Sequence, residues 1–163
     1  YAERSKEETM EKWQFDLEQY SKQGEMDKKE KAYAWKTAIG LQDVDGLKPS
    51  EYLLETAKEH IEGNVELSEA KYRIDSYYEA QSSRLESEAR VEEADKVSLR
   101  ITEILGEKTF NFSPAELLSI HKRMFTGIYK HAGKIRDCNI SKKEWVLNNE
   151  SVLSESADSI SAT

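Results

Sequence analysis

Between residues 3 and 22 the apolar groups Met10, Trp13, Leu17 and Tyr20 recur at a 3-4-3 spacing in a charged background. That period places them on one stripe of a helix, which Gly24 is suited to end. Asp27 can cap a second helix through about Leu41, with Tyr33, Ala34, Trp35 and Ile39 as its apolar members. The stretch Asp45-Gly46-Leu47-Lys48-Pro49-Ser50 then punctuates. Gly46 fits a helix end and Pro49 the start of the next helix. Leu53, Leu54, Ala57 and Ile61 predict that helix over 50–62, and Gly63-Asn64 closes it. Ser68 is placed to cap a fourth helix carrying Ala70, Ile74, Tyr77 and Tyr78.

The pattern thins over 81–94, where Ser, Glu and Arg dominate and large apolar groups are few. This reads as a linker or a solvated helix. Val97, Ile101, Ile104 and Leu105 resume a stripe that Gly106 ends. Ser113-Pro114-Ala115-Glu116 is the clearest local signal in the chain. Serine caps, proline takes the first helical position, and the glutamate can bond back to the cap. Leu117, Ile120, His121, Met124, Phe125 and Ile128 follow as a wide apolar face, with Gly133 as the expected end. Trp145-Val146-Leu147 and Ser151-Val152-Leu153 flank Asn148-Asn149-Glu150, two β-prone runs about a turn, and predict a hairpin.

The predicted fold class is therefore mainly α, with one β-hairpin. The expected modules are 1–80, a helical module; 81–95, the linker or solvated helix; and 96–163, a second helical part with the hairpin.

Composition sharpens this picture. Two prolines in 163 residues leave long stretches free to be helical. One cysteine, Cys138, excludes a disulfide within the chain and suits a reducing compartment. No apolar run is long enough to span a membrane, and no signal segment opens the chain. A cytoplasmic location is the expectation. Net charge is −8, but unevenly spread: residues 1–95 hold 14 Lys and Arg against 24 Asp and Glu, and the remainder 10 against 8. The acidic part is ill-suited to grip nucleic acid and compatible with docking on a basic surface.

Catalytic signatures are missing. There is no phosphate-binding glycine loop, no paired cysteine and no nucleophile elbow. His121 sits on an apolar helix face, where a satisfied core imidazole is expected, since no second ligand lies three or four residues away. His60 and His131 are expected at the surface near helix ends. No catalytic residue and no metal ligand is assigned.

The run Phe112-Ser113-Pro114-Ala115-Glu116-Leu117-Leu118-Ser119-Ile120-His121-Lys122-Arg123-Met124-Phe125, then Ala132-Gly133-Lys134-Ile135-Arg136, then Asn139-Ile140-Ser141-Lys142, resembles the opening of a Fic domain. Several separated motifs fall in that family's order, and the likeness runs from about Val91 to Thr163. Thr37 to Tyr78 resembles the small antitoxins of the VbhA type that inhibit Fic toxins. Their pattern is Ser/Thr-x-x-x-Glu-Gly; here Leu41 stands at the hydroxyl position and Asp45-Gly46 at the acid-glycine pair.

The resemblance implies an inhibitory segment at Leu41, Asp45 and Gly46, in which the acid pairs with an arginine of a Fic core, own or separate. It implies that the hairpin is the family's flap, where Trp145, Val146 and Leu147 dock a protein substrate by strand addition. The parent activity would be protein adenylylation, moving AMP from ATP to a Ser, Thr or Tyr hydroxyl with Mg²⁺. The family's catalytic motif, His-Pro-Phe-x-Asp/Glu-Gly-Asn-Gly-Arg, does not occur in 1–163 and is expected downstream of Thr163. This chain alone is thus expected to hold no cofactor. Oligomerisation is compatible with its charged helices. The alternative is a stand-alone helical regulatory or protein-interaction module without nucleotide activity.

Overall fold

In the computed structural model, residues 2–23, 26–81, 86–107, 113–135, 141–144 and 150–153 are described. The protein is mainly α. Among the described residues six helices run in order: α1 (Ala2–Gln23), α2 (Met26–Val44), α3 (Glu51–Glu62), α4 (Leu67–Glu79), α5 (Glu86–Gly106) and α6 (Pro114–Phe125). Two four-residue strands follow, β1 (Ser141–Glu144) and β2 (Glu150–Leu153). They pair antiparallel with Ser141 opposite Leu153 and Glu144 opposite Glu150. Residues 145–149, including Trp145, Val146 and Leu147, lie outside the described residues, as does Cys138.

The chain divides into two compact units, 1–110 and 111–163. The boundary expected from sequence lies earlier, at 81–95. From Glu86 the Ser- and Glu-rich stretch is the first part of α5, one helix continuous to Gly106, and α5 packs on α2 and α4. Residues 87–90 are exposed, as a solvated helix would be, while burial starts at Ala94 and Asp95 and continues through Val97, Ser98 and Leu99. The α2–α5 pair is the most extensive helix contact. Ala32, Ala34 and Ala38 on α2 are buried, as are Ala94 and Ser98 on α5. Such small side chains let two backbones approach closely.

The core of the first unit forms where the predicted stripes meet. Trp13 and Leu17 of α1 join Trp35 and Ile39 of α2, Leu53, Ala57 and Ile61 of α3, and Ile74 and Tyr78 of α4. Met10 and Tyr20, the outer members of the α1 stripe, pack against this core from its edge. The indole of Trp13 donates to the Leu54 carbonyl at 3.2 Å, which ties α1 to α3. At the far end of α1 the Tyr20 hydroxyl donates to Glu62, which also pairs with Lys28 at 3.0 Å. Burial and the Glu62 carboxylate push the Tyr20 hydroxyl up to about 12.

Capping explains most of the boundaries. Ser50 caps α3, its hydroxyl accepting from the Leu53 amide at 3.0 Å. Two helices end in the same left-handed motif. After α2, Gly46 at φ 68° donates to the Asp43 carbonyl while Leu47 donates to that of Gln42. After α3, Gly63 at φ 84° donates to the His60 carbonyl and Asn64 to that of Glu59. Both are Schellman closures, each followed by a buried apolar residue, Leu47 or Val65. Ser68 does not cap α4. The helix starts at Leu67, two residues earlier than a Ser68 cap would set it, with Glu66 at the cap position and no side-chain bond.

In the second unit Ser113 caps α6, accepting from the Glu116 amide at 3.1 Å with Pro114 in the first turn. The helix ends at Phe125, earlier than Gly133. Gly133 closes a series of turns instead. Its φ is 73°, and a Cβ there would lie 2.5 Å from the Lys122 Cβ. No residue of α6 is buried.

Candidate functional site

The residues singled out in the first unit converge on the C-terminal end of α2. Leu41 lies on the last full turn and is 51% exposed. Asp45 is exposed in the turn itself, and Gly46 supplies its left-handed residue. The closure is an ordinary helix stop in its backbone. Its charge is not ordinary. Asp43 and Asp45 stand where the helix macrodipole is negative, and α2 has no basic residue in its last turn. A carboxylate there costs about 0.3–1 kcal/mol. Among the described residues neither carboxylate makes an ion pair or hydrogen bond that would offset the cost. Local rules broken without internal compensation mark functional positions.

The apolar surface beside it breaks a second rule. Tyr33, Thr37, Leu41 and Val44 follow a 4-4-3 spacing along α2, one face of the helix. Tyr33 is 67% exposed and Val44 83%. The face leads directly to Asp45.

The turn is held from beneath by α5. The Asp95 carboxylate, fully buried, accepts from the Ser50 amide at 2.8 Å, from the Ser50 hydroxyl, and from the Tyr78 hydroxyl at 2.6 Å. Five residues earlier on α5, Arg90 donates to the Asp45 carbonyl at 3.4 Å. One helix therefore grips the α2–α3 connection at both ends. Burial pushes the Asp95 carboxyl above the usual range, against the hydrogen bonds from Ser50 and Tyr78 that favour its ionised form. Burial and the Asp95 charge likewise push the Tyr78 hydroxyl up. Asp95 escapes sequence reasoning because the segment looks solvated. The available signal is an acid between Ala94 and Val97 on the face that continues to Ile101.

His60 is the second correction. Expected at the surface, it is buried, and its Nδ1 accepts from the Trp35 indole at 3.0 Å. Burial, then Lys31, lowers its pKa, against Glu66 and Asp27. His121 is satisfied as expected, but half-exposed and not in a core. Its Nδ1 accepts from the Gly133 amide at 2.9 Å, and its ring lies against Phe125. His131 is exposed, stacked on Tyr129.

No family model, curated protein or solved structure matches the chain. Among the described residues, no group of three or more His, Cys, Asp or Glu is arranged to hold a metal. No helix among them is long and apolar enough to cross a membrane.

Proposed function

We propose that the chain is the N-terminal part of a Fic-type protein adenylyltransferase whose first unit restrains the transfer. The observation that carries this reading is the Asp45 carboxylate, exposed and without an ion pair or hydrogen bond among the described residues, at the end of an exposed apolar face on α2. Tyr33, Leu41 and Val44 would be covered by a Fic core, which brings the Asp45 carboxylate to an arginine of the catalytic motif. A guanidinium takes a carboxylate through two parallel hydrogen bonds. Asp45 is one methylene shorter than the family's glutamate, so its grip is weaker. The ordered motifs over 112–144 support the reading independently of the first unit. In the second unit, the β1–β2 pair would serve as the flap, offering strand-edge amides and carbonyls to a target segment.

In this reading ATP and the metal belong to a core bearing the catalytic motif, and this chain contributes restraint and docking.

The test adds the full chain to a Fic domain that carries the motif and follows AMP transfer from labelled ATP to protein. Transfer should fall on addition. Asp45→Ala should relieve the inhibition and Asp45→Glu should deepen it. Equal transfer with all three would sink the assignment.

A further inference from the structure

A concavity lies on the first unit, beside the α2 face just described. It has a volume of about 820 Å³, within the range of binding clefts. Trp13, Ile39, Leu47 and Tyr52 contribute apolar lining from α1, α2, the connection after it, and α3. The charged groups on its border are Glu11, Glu18, Asp43 and Glu51 against Lys36 and Lys48. The unit that carries it holds 26 acidic residues against 17 basic ones.

Gly40 is the decisive residue. It lies inside α2 without a left-handed φ, and a Cβ built on it would meet nothing within 4 Å. A glycine inside a helix is a cost that neither its own backbone nor its contacts with the described residues explain. Glycine in such a place lets a second backbone come close. Gly40 lines the cleft, on the face shared by Lys36, Ile39 and Asp43.

We propose that this cleft docks a basic amphipathic helix from another polypeptide. Apolar anchors spaced at i, i+3 or i+4 and i+7 would fill the cleft. Lysines or arginines beside them would face Glu11 and Asp43, and the partner backbone would pass over Gly40. Charge selects this occupant. A second copy would bring an equally acidic first unit, and a nucleic acid would be repelled.

The probe is a fluorescein-labelled 14-residue helix of leucine and lysine, with leucines on one face, titrated with the full chain by anisotropy. A leucine-glutamate counterpart serves as comparison. The leucine-lysine helix should bind and its counterpart should not. Gly40→Phe, which fills the cleft, should weaken binding at least tenfold, as should Glu11→Lys with Asp43→Lys. Glu55→Lys with Glu79→Lys makes the same charge change at exposed sites outside the cleft and should leave affinity within twofold. Circular dichroism checks each fold. Should Gly40→Phe not fold, Gly40→Gln takes its place. Each of these results overturns the proposal: no binding, equal binding of both helices, full affinity in the cleft-filling variant, or equal weakening by the distant pair. Uptake of a small apolar dye without uptake of the helix overturns it too.

Discussion

The indole N–H of Trp35 donates to Nδ1 of His60 across 3.0 Å, between α2 and α3, with both residues buried. The imidazole must be neutral at Nδ1 to accept. Its pKa is lowered, with burial as the first cause. The unfolded chain thus binds a proton that the folded one resists. The stability this group confers is complete above the ordinary imidazole value of 6.5 and is lost as pH falls through the lower folded value. Below 6.5, urea midpoints should drop by the equivalent of up to about 1.4 kcal/mol per pH unit until the folded value is reached. His60→Gln keeps an acceptor without titrating and should flatten that slope.

Asp95 pulls the other way. Its carboxyl is raised by burial, so its ionised form is penalised in the folded state. Acidification through the folded value toward 3.8 should relieve that penalty, and the gain should vanish in Asp95→Asn. Asp95→Ala removes the acceptor of both hydroxyls and should destabilise by about 3 kcal/mol, the asparagine by less. Denaturant unfolding of the three proteins between pH 4 and pH 7 checks both statements.

Two glycines should respond to alanine with opposite signs. Gly40→Ala fills open space on a helix and should stabilise by about 0.5–1 kcal/mol. Gly133→Ala forces a side chain into the left-handed region and against the Lys122 Cβ, and should destabilise by at least about 1 kcal/mol. Thermal unfolding followed at 222 nm reports the first. Protection of the Gly133-equivalent amide, which donates to His121, reports the second by hydrogen exchange.

Cutting the chain at residue 80 should also be costly. Leu99 belongs to the core and Asp95 to the α3 cap. A fragment of residues 1–80 should therefore show reduced helicity and broad unfolding, while 1–110 unfolds cooperatively.

Much of the mainly helical fold is readable from pattern alone. The α1 stripe, the Ser113 cap and the Gly46 and Gly63 stops depend on neighbours a few residues away, whereas α3 starts at Glu51 behind a Ser50 cap and not at Pro49 as the sequence suggests. What escapes depends on distant partners. Tyr78 and Asp95 meet across 17 positions, Trp35 and His60 across 25, and Ser50 and Asp95 across 45. Nothing near His60 in sequence says that an indole will cover it. Nor does the Ser- and Glu-rich run before Ala94 reveal that Ala94 and Ser98 beyond it are buried where α5 packs on α2. Of the candidate site, the positions of Leu41, Asp45 and Gly46 could be named from the chain, whereas the exposed face at Tyr33 and Val44 emerges only once the opposite face of α2 is seen to be covered.

Arg90 and Asp95 lie five residues apart on α5, so the Asp45 carbonyl and the Ser50 amide are both fastened to one helix. The orientation of the exposed Asp45 carboxylate is thereby tied to residues distant in sequence, and loosening either fastening would be felt at the turn.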